Sequence, residues 1–287
     1  MKQLYILTLL TGLFVSSCSG EAKTGQSEKS APEQKVVSLN GTLTEIIYAL
    51  HSEKQLVAVD VTSTYPEKAT GLPNLGHIRT VTAESILGVK PTHVLAFEDE
   101  MNPALKAQLQ KTGVEVVTFK REFTVESTRK TIRSVAAWLQ KKDEAAKLIE
   151  QLDQELKAAA KPATAPKVLF VYARGTGTMM VSGTGTQMDA MIKLAGGQNA
   201  VSGFADFKPL TAEAVVAANP DVILMFDSGL ASLQQAGGLL SVPGVSATTA
   251  GKNKAVITMD GQFLSGFGPR TGKAVQELSH KLNALKR

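Results

Sequence analysis

The chain has 287 residues, 43% of them hydrophobic and 20% charged, with a net charge of +5 and a single cysteine. That length and composition predict a sizeable core, in one large domain or two small ones. Acidic and basic residues are mixed along the chain with no long basic run, which argues against a nucleic-acid partner and leaves an anionic small ligand open.

The first stretch, "MKQLYILTLLTGLFVSSCSG", has an early Lys and an apolar run from Leu4 to Val15. The run is too short to span a bilayer and has the shape of a signal peptide over residues 1–17. Its end, Val15-Ser16-Ser17-Cys18, resembles a bacterial lipobox. Cys18 is therefore expected to become the lipidated first residue of the mature protein, which leaves no thiol for disulfides. Bacterial lipoproteins carry several acyl chains, so the expected anchor is firm. Residues 18–35 are small and polar and read as a flexible tether.

Strands and helices then alternate. "KVVSL" reads as a strand and "TLTEIIYAL" as a helix, with Thr42 or Thr44 placed to cap it. "QLVAVD" is a second strand, "SILGV" lies in a short helix, and "HVLAF" is a third strand. "MNPALKAQLQKTG" reads as a helix ending at Gly113, and "VEVVTF" as a fourth strand. A long helical stretch follows. Its first run, Glu126 to Gln140, places Ile132, Val135, Trp138 and Leu139 at helical spacing; its second places Leu148, Ile149, Leu152 and Leu156 on one stripe. "KPATAPK" ends it. The alternation resumes with "VLFVYA", "MDAMIKLAGG", "DVILMF" and "KAVITM" and closes with a helix. This order predicts parallel βα units in an N-terminal lobe over 36–125, a helical connector over 126–165 and a C-terminal lobe over 166–287.

The chain also echoes itself. "TAESILGVKPTHVLAF" from Thr82 and "TAEAVVAANPDVILMF" from Thr211 share six identities at a constant offset of 129. A second echo pairs "VSLNGTLTEIIYAL" from Val37 with "VSGTGTQMDAMIKL" from Val181. Two echoes in the same order point to an internal duplication: two Rossmann-like lobes, with a ligand cleft between them at the C-terminal ends of the strands.

Signals for catalysis are weak. "RGTGTMMVSGTGTQM" lacks the third Gly of a dinucleotide fingerprint and the Gly-Lys-Ser/Thr of a P-loop, and reads as a loop leading into a capped helix. No Ser sits in a G-x-S-x-G elbow, and no His-x-x-x-His pair is present. Of the four histidines, His51 follows a helix end, His93 opens a strand and His280 lies in the last helix, all positions with ordinary structural roles. His77 differs. It stands in the turn "LPNLGHIRT", near the C-terminal end of a strand unit, where ligand residues collect; a turn-forming role is the other reading.

These segments together resemble a family. The lipobox, "SLNGTLTEIIYAL", "LPNLGHIRTVTAESILGVKP", "VSGTGTQMDAMIKLAGGQNAV", "LTAEAVVAANPDVILM" and "GFGPR" are similar to the two-lobed substrate-binding proteins of bacterial ABC importers, most of all the haem-binding ones. Vitamin B12- and siderophore-binding proteins are more distant relatives. The resemblance covers nearly all of residues 36–287. It implies capture of haem outside the cytoplasmic membrane and delivery to an ABC permease dimer with its ATPase, by a monomer that alters no bond in its cargo. Haem-binding members usually carry Tyr, the iron ligand, where this chain has His77; an imidazole also ligates haem iron. Arg79 matches the motif Arg beside the ligand, and Tyr65 in "TSTYP" is a fallback ligand. A second haem ligand, His in some members, falls near Arg174, whose guanidinium suits a propionate. Arg270 matches the late motif and is expected to be structural. Glu84 and Glu213 match glutamates that dock on permease arginines in the vitamin B12 relative, though acidic residues also suit any helix start. A corrinoid or ferric siderophore in the same fold is the first alternative. A metal ion is the second, and needs about four ligands where the sequence offers one cleft histidine. An enzyme is the third.

Overall fold

The computed structural model describes residues 34–234 and 237–285. The expected signal peptide, Cys18 and nearly all of the tether lie outside the described residues. In the first half, β1 (Val36–Ser38), α1 (Gly41–Ala49), β2 (Leu56–Val59), α2 (Ala83–Gly88), β3 (His93–Phe97), α3 (Pro103–Lys111) and β4 (Glu115–Phe119) follow in order. Their strands form a four-stranded parallel sheet, ordered β2-β1-β3-β4. Next come α4 (Val125–Trp138) and α5 (Lys142–Lys157).

The second half has β5 (Lys167–Arg174), β6 (Thr178–Ser182), α6 (Gln187–Leu194), β7 (Gln198–Asn199), β8 (Phe207–Pro209), α7 (Ala212–Ala218) and β9 (Val222–Phe226). It continues with α8 (Asp227–Ala231), α9 (Thr249–Lys252), β10 (Val256–Met259), α10 (Gly261–Ser265) and α11 (Thr271–Asn283). The second sheet runs β10-β9-β5-β6-β8, with β7 beside β5. The fold is thus two α/β lobes, as the alternation predicts.

Period-two alternation in the strands builds a core on each face of each sheet. Val36, Leu95 and Phe97 face one core of the first sheet; Val37, Val94 and Ala96 face the other. In the second sheet Val168, Phe170 and Leu224 are divided in the same way from Leu169, Val171 and Met225. Burial on both faces explains why these strands read as continuous apolar runs.

Two local expectations need correction. The cap of α1 is Asn40, whose side-chain oxygen accepts from the Thr42 N–H at 2.8 Å. Thr42 and Thr44 are already inside the helix, and their hydroxyls go elsewhere, Thr42 to the carbonyl of Gly266 and Thr44 to Ser38 and Ser63. The Gly-rich segment after β5 is also more than a loop before a helix. Gly175, at φ 62, turns the chain so that β6 returns antiparallel to β5, and β8 adds antiparallel to β6. The second sheet therefore has a parallel part and an antiparallel edge, because a two-stranded hairpin needs only a short turn where a parallel neighbour needs a crossover.

The connecting helices are not a free rod. Ile132 and Val135 of α4, Leu139 just after it, and Ile149 and Leu152 of α5 pack into a core of the first lobe. Arg129 of α4 donates to Asp153 of α5 at 2.6 Å. On its other side α5 meets α11 so closely that a Cβ on Gly272 would lie 2.5 Å from Cβ of Glu155.

Candidate ligand-binding site

A cleft of about 820 Å³ lies at the C-terminal ends of both sets of parallel strands. Thr42 after β1, Thr62 after β2, Glu100 after β3 and Phe123 after β4 line one wall. Tyr172 of β5, Phe226 of β9 and Gln262 after β10 line the other. Strand ends in such sheets expose loop groups and helix starts to a ligand, the general placement for α/β binding sites. A larger cavity, about 1080 Å³, runs between β4 and α4. It is walled by one lobe and holds no histidine, so the cleft is the better site.

Local structure fixes the first wall. The Asp60 carboxylate is buried and accepts from the Thr62 and Ser63 hydroxyls, both at 2.7 Å. Burial pushes its pKa up, with those hydrogen bonds offsetting part of the effect. Thr62, so oriented, accepts the Gly41 N–H at 2.8 Å. The approach is close: a Cβ on Gly41 would lie 2.3 Å from the Thr62 carbonyl oxygen, so only glycine fits there. Arg121 lies 4.4 Å from the centre of the Phe97 ring and donates to Asp99 and Glu100, and Glu100 also accepts from Asn40 at 2.9 Å. Its charge is already paired.

His77 is half-buried and lines the cleft. Its turn is tied down by its own carbonyl, which accepts from the Thr80 and Val81 N–H groups at 2.8 and 2.9 Å. The Arg79 N–H donates to His77 Nδ1 at 3.2 Å. In the neutral ring the proton is then on Nε2, because an accepting Nδ1 has none.

The structure brings Arg174 to the same cleft, on the wall that the second lobe supplies. Arg174 is exposed, lies 5.8 Å from the Tyr172 ring centre and makes no ion pair among the described residues. Arg79 is exposed and does not line the cleft; its backbone, not its guanidinium, serves His77. Tyr65 is also placed elsewhere, lining a separate cavity of about 540 Å³ with its ring 3.5 Å from the Arg270 guanidinium carbon. That stacking, with its backbone N–H tied to Gln262 at 3.1 Å, removes the fallback ligand from the cleft.

Glu84 and Glu213 lie in the first turns of α2 and α7, both exposed and with no ion pair among the described residues. Each helix has the equivalent threonine cap, Thr82 accepting from Ser85 N–H and Thr211 from Ala214 N–H, both at 3.2 Å. The other histidines are accounted for. His93 contacts Thr92 and Glu115 and meets Trp138 edge-on; His51 and His280 are exposed at helix ends. No group of three or more His, Cys, Asp or Glu among the described residues is placed to hold a metal ion.

Asn40, Glu100, Arg121, Phe123, Tyr172, Phe226 and Gln262 were not singled out by the sequence reading. The signal for most of them is positional, since they stand at or just past the end of a strand.

Residues 36–263 match the family model described as periplasmic binding protein. The chain belongs to this family. Two solved structures are similar over almost their whole length. The periplasmic heme-binding protein RhuT from Roseiflexus sp. RS-1, in apo form, is 39% identical, with 88% of this chain and 98% of that one covered and a TM-score of 0.84. The periplasmic heme-binding protein BhuT in complex with two hemes is 40% identical, with 86% and 97% covered and a TM-score of 0.80. Two curated relatives are further away. The uncharacterized ABC transporter substrate-binding lipoprotein YvrC of Bacillus subtilis (strain 168) is 27% identical, covering 87% of this chain and 80% of its own. The vitamin B12-binding protein of Pectobacterium carotovorum subsp. carotovorum (strain PC1) is 26% identical, covering 88% and 89%.

Proposed function

We propose that the chain captures haem in this cleft, outside the cytoplasmic membrane, and hands it unaltered to an ABC-type permease with its ATPase. The observation that carries the reading is the presence of aromatic side chains on both walls, Phe123 on one and Tyr172 and Phe226 on the other, with one imidazole and one guanidinium that makes no ion pair among the described residues. Flat aromatic surfaces suit a porphyrin, His77 suits its iron and Arg174 its propionates. Similarity to two proteins named as heme-binding supports it. His77 is the axial ligand in this reading, and Arg79 holds the turn through its N–H in the ligand-free protein. In this reading binding leaves the cargo's bonds intact, the role that membership of the periplasmic binding protein family supports.

Glu84 and Glu213 are the permease contacts. One exposed carboxylate per lobe, at equivalent capped helix starts, fits a partner with two like halves. Cys18 carries the lipid anchor that holds the monomer at the membrane surface, a reading supported by the lipoprotein name of YvrC.

Titration of the purified protein with haemin tests the proposal. A Soret band shifted from that of free haemin and rising to an end point is expected. No spectral change with haemin, together with saturable binding of cobalamin or a ferric siderophore, would move the protein to the alternative that the vitamin B12-binding relative favours.

A further inference from the structure

Of the motif "GFGPR", Gly266 to Arg270, only Gly266 lines the cleft, and the buried Glu45 does not. Both belong to one construction at the base of the cleft, where the two walls meet. Arg270 reaches Glu45 of α1 with three donors, its backbone N–H at 3.2 Å, Nε at 3.0 Å and Nη2 at 2.9 Å. Thr42 donates to the Gly266 carbonyl at 2.6 Å. A Cβ on Gly268 would sit 3.0 Å from the Thr42 methyl, so the loop lies flat on α1. Phe267 crosses to meet Phe123 edge-on at 5.6 Å.

Gln262 completes the contact. Its Oε1 accepts from Thr64 N–H, Thr64 hydroxyl and Tyr65 N–H at 3.1, 2.9 and 3.1 Å. Its Nε2 donates to the Gly41 carbonyl at 2.8 Å and to Glu45 at 3.3 Å. Every polar position of this amide is used, and every partner belongs to the other lobe. Gln262 lines the cleft, whereas Glu45 and Arg270 line the separate cavity behind it. Two lobes joined only through α4 and α5 would be free to bend about that join. A second attachment, charge-assisted and two-pronged, removes the bend.

We infer that Gln262, with the Glu45–Arg270 pair behind it, sets the width of the cleft and so the thickness of the ligand it accepts. Glu45 and Arg270 are positioning residues that act through the walls; they do not line the cleft. The identity of the ligand rests on the proposed function above, but the clasp itself does not.

The test uses the full chain with Cys18→Ser, and spin labels on Lys111→Cys and Lys252→Cys, exposed residues in different lobes. Pulsed dipolar spectroscopy reads the distance between them. With the clasp intact, one narrow distribution is expected, unchanged by haemin. Gln262→Ala and Glu45→Gln should broaden it and weaken haemin binding at least tenfold, although Glu45 lines no part of the cleft. Arg270→Lys keeps the charge and loses the fork, so it should broaden the distribution with the least risk to folding. An unchanged distribution in both Gln262→Ala and Arg270→Lys would overturn the inference. If the intact protein binds no haemin while the variants broaden, the clasp stands and the haem reading falls.

Discussion

His77 has two jobs that one pair of substitutions separates. Its Nδ1 accepts the Arg79 N–H at 3.2 Å, and its ring faces the cleft. His77→Ala removes both. Loss of a single hydrogen bond whose donor turns to water costs about 0.5–1.5 kcal/mol, and the exposure of Arg79 places the cost at the lower end. In a body of this size that lowers Tm by roughly 1–4 °C. His77→Asn is expected to behave differently. An asparagine oxygen accepts the N–H two residues ahead in the Asx turn, so the turn survives and stability changes by less than about 0.5 kcal/mol. It supplies no imidazole, however. The Asn variant should melt like the parent, lack a histidine-type haem spectrum and bind haemin at least about tenfold more weakly, a change of about 1.4 kcal/mol. His77→Tyr should recover binding with a phenolate-type, high-spin spectrum. Nδ1 accepts the Arg79 N–H in the resting ring, so ligation through Nε2 would move the ring proton to Nδ1 and break that hydrogen bond. A histidine-type Soret band in His77→Asn would refute the ligand assignment. A melting loss in His77→Asn equal to that of His77→Ala would refute the turn argument.

Arg174→Gln should weaken haemin binding by about 1.5–3 kcal/mol, the scale of a charged hydrogen bond, and leave binding of the haem dimethyl ester unchanged, since the ester has no carboxylate to lose; equal losses for the two ligands would remove Arg174 from propionate binding. Truncating Glu84 and Glu213 together should leave haemin affinity unaltered and weaken association with the permease, whose parent association should fall with added salt; wild-type uptake by the double Ala variant would end the docking assignment. Asp189 provides the pH-dependent case. It is buried, and although burial raises its pKa, hydrogen bonds from Lys193, Gly185 and Asn199 hold it below the ordinary value of 3.8. A depressed carboxyl contributes stability that is present above pH 3.8 and lost as the pH falls through the folded-state value. Asp189→Asn should cost about 1–3 kcal/mol at neutral pH and flatten the acid side of the stability profile; an unchanged acid limb by thermal melts from about pH 2 to 6 would contradict this.

Much of the lobe framework was legible because it rests on local pattern. The runs "HVLAF" and "DVILMF" are strands because both faces are buried, and the stripe Ile132, Val135, Leu139 is helical because one face is. His77 was legible as a cleft residue because it stands in a turn near the end of a strand unit, whereas Arg174 was named only through the family resemblance. The place of Tyr65 was not legible, because its fate depends on Arg270, which is 205 positions away in sequence and reaches it only when the lobes meet. Gln262 was invisible for the same reason. A lone glutamine in "DGQFLSG" has no signature, and its partners Gly41, Glu45, Thr64 and Tyr65 come from the other end of the chain.

The two echoes fared differently, and the difference explains the cleft. The unit offset by 129 is a true structural equivalence: Thr82 caps α2 before β3, Thr211 caps α7 before β9, and both strands lie inside parallel arrays. The second echo sets β1 against β6, yet β1 is parallel to both neighbours and β6 is antiparallel to both of its own. The caps are out of step as well. Asn40 caps α1, while α6 is capped by Thr186, two residues beyond the counterpart of Asn40. What that echo preserves is placement and not strand direction. The starts of α1 and α6, marked by Thr42 and Gln187, both line the cleft, one from each lobe. A slot between two lobes needs a rigid edge on each side, and a capped helix start supplies one whether the strand before it runs parallel or antiparallel. The hairpin turned by Gly175 could therefore change the strand direction without moving the edge that the ligand meets.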